Sequence, residues 1–201
     1  PAIGQYVAAD SALVRLTGAT HEDVDVDRIH HALVLSLERT QEEDVAYGIR
    51  MLVDMGLKAL ADSQHADPTT VVQVVDRVHD ILRQLSRREL REDITRDEAG
   101  EVRVVVPTMD WQAYVSLGFE ELRVVGAGSP QIARRLRSAL ENLLAYAPEE
   151  RRGPVEEQLS QLSDRVEQAY EDERDLELAN QPDAQGLGVA AGSSVRGGPT
   201  P

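Results

Sequence analysis

Apolar side chains return every three or four positions through most of the chain, the spacing that gives a helix one buried face. Between residues 42 and 61 the stripe is Val45, Ile49, Leu52, Val53, Leu57 and Leu60. Between residues 67 and 85 it is Val71, Val75, Val78, Leu82 and Leu85. Asp67-Pro68 is a strong start signal for that helix. The carboxylate accepts from the free N–H groups of the first turn, and proline at the first helical position loses no bond. Ser129-Pro130 repeats the signal for a helix reaching Tyr146, which Pro148 ends. Thr108 is placed to cap a helix that runs to about Val125 and stops at Gly126. A shorter helix is predicted from about Arg28 to Arg39. A last one, from about Pro154 to Leu178, carries Val155, Leu159, Leu162, Val166 and Tyr170. Gly48 and Gly56 lie within about 80° of each other on their helix and predict the close approach of a neighbour.

Two stretches follow a period of two instead. Ile3–Val7 and Ala12–Leu16 read as strands joined by a turn, and Gly18 closes that element. Thr95–Val106 reads as a hairpin with Asp97-Glu98-Ala99-Gly100 as its turn and Val102, Val104 and Val106 on one face. The expected fold is therefore mainly α: an amphipathic multi-helix domain with a small β element at the N-terminus and one β-hairpin near 95–106. Residues 1–18 form the β element, 19–180 the helical domain, and 181–201, rich in Gly, Ser, Pro and Ala, a disordered tail.

Composition narrows the picture. With one Trp, one Phe and five Tyr in 201 residues, the core has to be built from aliphatic side chains. Acids outnumber bases 36 to 21, for a formal charge of −15, which argues against nucleic acid and against anionic lipid as partners. Lys58 is the sole lysine. The absence of cysteine removes disulfides and thiolate chemistry. The run from Ile29 to Leu37 is free of charge for nine residues only, short of the roughly 20 that a spanning helix needs. A start at Pro1 in strand-like pattern reads as a domain cut from a longer protein.

The candidate chemistry is thin. Asp23, Asp25 and Asp27 alternate like a calcium loop, but Arg28 and Val34 stand where that loop needs Gly and Glu. His30 and His31 point about 100° apart on a helix, so they cannot share a metal, and no metal or cofactor is expected. Gly126-Ala127-Gly128-Ser129-Pro130 lacks the lysine of a phosphate loop. His65 falls in a loop, and His79 sits among Asp76, Asp80 and Arg83. The one notable cluster is Arg39, Thr40, Asp44, Arg50, Asp54 and Lys58, followed after a loop by Asp67, Thr69, Thr70 and Asp76. Its alternating charges at i, i+4 spacing suit surface ion pairs, or a ligand or subunit site between two antiparallel helices.

Residues 39–77 carry a resemblance. Arg39-Thr40, Asp44-Val45-Ala46-Tyr47-Gly48-Ile49-Arg50-Met51-Leu52-Val53-Asp54 and Asp67-Pro68-Thr69-Thr70, with Asp76-Arg77 near the end of the stretch, are similar to the C-terminal soluble part of a family of uncharacterised bacterial predicted membrane proteins. The hairpin and the stretch near Phe119 to Ala127 extend the likeness over roughly residues 1–147. The family's Ser-Pro-x-x-Asn-Asp-Pro is replaced here by Ser63-Gln64-His65-Ala66-Asp67-Pro68. The resemblance implies a domain attached to a bacterial inner membrane through a segment absent from this chain, on the cytoplasmic side, with no reaction assigned. An assembly or regulatory role follows; the rival is a small-molecule or anion sensor, or an enzyme, built on Arg50, Asp54 and Asp67. Residues 149–178 carry eleven acids and four Arg beside an apolar stripe, so a homo-oligomer that tightens as salt rises is expected.

Overall fold

The computed structural model describes residues 1–18, 24–36, 44–61, 66–90 and 92–188. About 60% of them lie in seven helices, and one two-stranded antiparallel sheet completes the regular structure. The mainly α fold is as the periodicity predicts. The helices are α1 (Val26–Ala32), α2 (Val45–Ala61), α3 (Pro68–Leu85), α4 (Trp111–Gly126), α5 (Pro130–Tyr146), α6 (Gly153–Ala169) and α7 (Glu173–Asn180); the strands are β1 (Ile94–Arg96) and β2 (Val102–Val105). The chain divides into two units, one made of residues 1–47 and 91–108, the other of residues 48–90 and 109–201.

The second unit is built around α5, which packs on α3, α4, α6 and α7. Its inner face, Ile132, Ala133, Leu136, Ala139, Leu140 and Leu143, is fully buried. Opposite it lie Val71, Val75, Val78 and Leu82 of α3, Val115, Phe119 and Leu122 of α4, and Val155, Leu162 and Val166 of α6. The stripe on α2 is buried at Ile49 and Val53, whereas Val45 remains 46% exposed at the helix start. Gly56 admits the close approach its spacing predicts: a Cβ there would stand 2.8 Å from Leu122 Cδ2. Gly48 meets no neighbour among the described residues.

Side-chain caps set several helix starts, although Ser129, read as the cap of α5, makes no side-chain cap bond and Pro130 alone marks that start. Asp67 accepts from the Thr70 N–H at 3.1 Å, and Pro68 opens α3 as expected. Asp110, not Thr108, caps α4, accepting from Ala113 at 2.8 Å. Thr108 instead donates from its N–H and hydroxyl to Asp93, each at 2.6 Å. The long helix predicted to reach Leu178 breaks after Ala169. Tyr170 is extended (φ −123°, ψ 123°), and Asp172 then caps a separate α7 through the Arg174 and Asp175 N–H groups.

The apolar stripe of α6 is spent inside this unit, against α4 and α5. Residues 181–188, where composition predicts disorder, are instead held against α5 by hydrogen bonds from Gln131 and Arg134. Residues 189–201 lie outside the described residues.

The first unit is sparser. Asp25 caps α1, accepting from Arg28 at 3.0 Å, and α1 ends at Ala32, earlier than predicted. The hairpin forms as read, pairing Ile94 with Val105, Thr95 with Val104 and Arg96 with Val102 across a bulge. Asp97 builds its turn, accepting from the Ala99 and Glu101 N–H groups at 3.0 Å each and from Arg103 at 2.7 Å. The two N-terminal strands are not formed. Residues 3–16 hold turns instead, with Gly4 and Asp10 at positive φ (73° and 64°), and alternation without a ladder partner does not make a strand.

Candidate functional site

Arg50 and Asp54 stand one turn apart on α2, so their side chains meet on one face. The Arg50 Nε donates to Asp54 at 2.8 Å, and its terminal nitrogens donate to Asp54 and to Glu121 of α4. The Glu121 bonds, then those to Asp54, push the guanidinium further toward its charged form. Glu121 was not among the sequence candidates, because it lies 71 residues away and no local spacing signals it.

The remaining candidates are placed elsewhere. The Asp67 carboxylate also accepts from the Thr70 hydroxyl, at 2.5 Å, and the Thr70 hydroxyl and N–H bonds hold its pKa below the usual range. Thr69 is exposed beside it. Asp76 pairs with Arg135 of α5 at 2.6 Å. Asp44 accepts from the Tyr47 N–H at 3.0 Å. Lys58 is exposed on α2. Arg39, Thr40, His65 and Asp23 lie outside the described residues. The structure thus distributes these side chains over an ion-pair triad, two helix starts and a helix–helix clasp.

A second polar seam runs between α3 and α5. His79 shares the Asn142 side-chain oxygen (3.0 Å) with Arg83 (2.6 Å). The guanidiniums of Arg83 and Arg87 each lie 4.0 Å from the Tyr146 ring centre. Burial lowers the His79 pKa, and the nearby Arg135 and Arg83 charges push the same way against the Asn142 bond. At the end of α3, Arg151 donates to the carbonyls of Leu85 (2.7 Å) and Arg88 (2.8 Å), satisfying groups that a helix end leaves open.

Asp67, Asp93, Asp97 and Asp183 all have lowered pKa values, and each accepts backbone N–H bonds. That is the direction of structural carboxylates, opposite to the one a general acid needs. Among the described residues no group of three or more His, Asp and Glu is placed to hold a metal ion. An open, polar depression of about 320 Å³ lies between α4 and α6, lined by Arg123, Gln161, Asp164, Arg165 and Gln168.

Sequence reasoning passed over the buried arginines of α5. Arg134 is fully buried and Arg135 nearly so. The signal was present as Arg134-Arg135-x-Arg137 on a helix that also supplies the core, together with Asp183-x-x-Gly186-x-Gly188 beyond it.

No helix among the described residues is long and apolar enough to cross a membrane. The chain is similar to an uncharacterized protein of Mycobacterium tuberculosis and to one of Mycobacterium bovis. Each is 28% identical over 196 residues, which cover 94% of this chain and 36% of the relative. The chain therefore spans just over a third of the length of these curated relatives. No solved structure matches it. A family model described as "Predicted membrane protein (DUF2254)" matches residues 1–142, and the chain belongs to that family.

Proposed function

We propose that this chain is a non-spanning domain on the cytoplasmic side of a bacterial inner-membrane protein, and that it serves assembly or regulation by binding a second copy. The observation that carries the reading is the burial of the first unit. Its helix α1 and both strands contain no buried residue. Tyr6 is 88% exposed and Val34 91%. Exposed apolar side chains gathered in one small unit mark a surface made to be covered. The candidate side chains of the second unit support the same reading, since Arg50, Asp67 and Asp76 are engaged in ion pairs and a cap.

Sedimentation over a range of protein and salt concentrations tests it. Self-association that strengthens with salt and is weakened by Val104→Asp is expected; a strict monomer at every concentration overturns it. Reporter fusions to the full-length protein check the side of the membrane. A thermal shift given by a nucleotide, a metal or an inorganic anion and abolished by Arg50→Ala would replace this reading with a sensor or enzyme.

A further inference from the structure

Residues 181–188 close on the α5 face almost wholly through polar contacts. The buried Arg134 donates from Nε to the Gln181 carbonyl at 3.0 Å and from Nη1 to the Gly188 carbonyl at 2.7 Å. Gln131 donates to the Gly186 carbonyl at 2.7 Å. The Asp183 carboxylate turns inward and accepts from the N–H groups of Gln185 (2.9 Å), Gly186 (3.0 Å) and Gly188 (2.7 Å). The Asp183 N–H donates in turn to the Arg134 carbonyl at 3.1 Å. Gly186, at φ +68°, lies so near α3 that a Cβ would stand 2.4 Å from Val72 Cγ1.

Apolar anchoring is what this segment lacks. Leu187 is 67% exposed, and Ala184 and Gln185 are exposed too. Lifting the segment therefore uncovers little apolar surface, the main quantity that opposes opening. Arg134 gains from it: among the described residues nothing accepts from its buried Nη2, and water would satisfy that donor. Lifting it uncovers Val72, beside Gly186, together with the charged Arg134.

We propose that residues 181–188 form a releasable latch, which opens as one piece while the helices stay folded. Opening frees Gly188 from the α5 face and lets it stand up to roughly 26 Å from the end of α7, the span of eight extended residues.

Hydrogen exchange of the full chain reads this directly. The amides of Gln185, Gly186 and Gly188 should be protected, yet exchange at least about a hundred-fold faster than those of Leu136 and Leu140, and at a rate insensitive to low denaturant. Gly186→Ala puts a side chain where there is neither room nor a suitable φ. It should speed exchange at Gly188 about ten-fold further and leave the helical melting midpoint within about 2 °C. Strap and α5 amides that exchange together and shift together with denaturant would overturn the latch and make the segment core. So would strap amides without protection in the unaltered chain, or loss of helix signal in Gly186→Ala.

Discussion

On α3, Val71, Val75 and Val78 are sealed from solvent; on β2, Val102, Val104 and Val105 stand 45%, 49% and 63% exposed. The side chain is the same, spaced at a period near 3.6 on α3 and, from Val102 to Val104, at a period of 2 on β2. The difference lies in what faces them. Helix α3 meets α4 and α5, while β2 has one partner strand and no second layer among the described residues of its own unit. A two-stranded ribbon is marginal by itself, whereas a helix pressed between two others gains a full core face. Periodicity reports which side chains share a face and says nothing of what will cover it.

Substitutions sharpen the contrast. Phe119→Ala empties a buried position in the core of the second unit and should cost about 3–5 kcal/mol, read from the denaturant midpoint. A loss below 1 kcal/mol would mean that this core is loosely packed. Asp67→Ala removes the cap of α3 and should lower the melting midpoint by about 2–4 °C. The seam at His79 adds a pH dependence. Its folded pKa lies below the ordinary value, so the unfolded chain takes up the proton first as pH falls. Stability should be full above about pH 6.5 and decline as pH drops through the folded value, and His79→Gln should flatten that slope in a pH series of denaturant melts. The smallest effect is expected in the other region. Val104→Thr on the hairpin should leave the stability of the isolated chain within about 0.5 kcal/mol, and a larger change would show that this strand is covered.

The starts of α3 and α5 and the Asp97 turn were legible because their signals are local: the capping side chain of Asp67, a proline at the first position of each helix, and a glycine within four residues of Asp97. The break between α6 and α7 was not. Acids run through Glu171, Asp172 and Glu173, and nothing in that run singles out Asp172 as the cap. Glu121 and Arg134 escaped for a different reason, since each acts on groups far along the chain. The candidate cluster itself was read from spacing on α2 and α3, and spacing correctly paired Arg50 with Asp54. It could not foresee that Asp76 would be spent on Arg135. Residues 181–188 misled through composition, because glycines that usually signal freedom here allow positive φ and close approach around one carboxylate.

The seam between α3 and α5 joins residues made far apart in time. Asp76 and Arg135 are separated by 59 positions, His79 and Asn142 by 63. At roughly 5–20 residues per second, a ribosome takes about 3–12 s to cover that interval. Throughout it the valine face of α3 has been synthesised, but α5, one of the two helices that cover it, has not. Nascent chains of this protein therefore carry a half-covered apolar helix for seconds, a natural client for a ribosome-associated chaperone. A pause placed before residue 130 would lengthen that exposure.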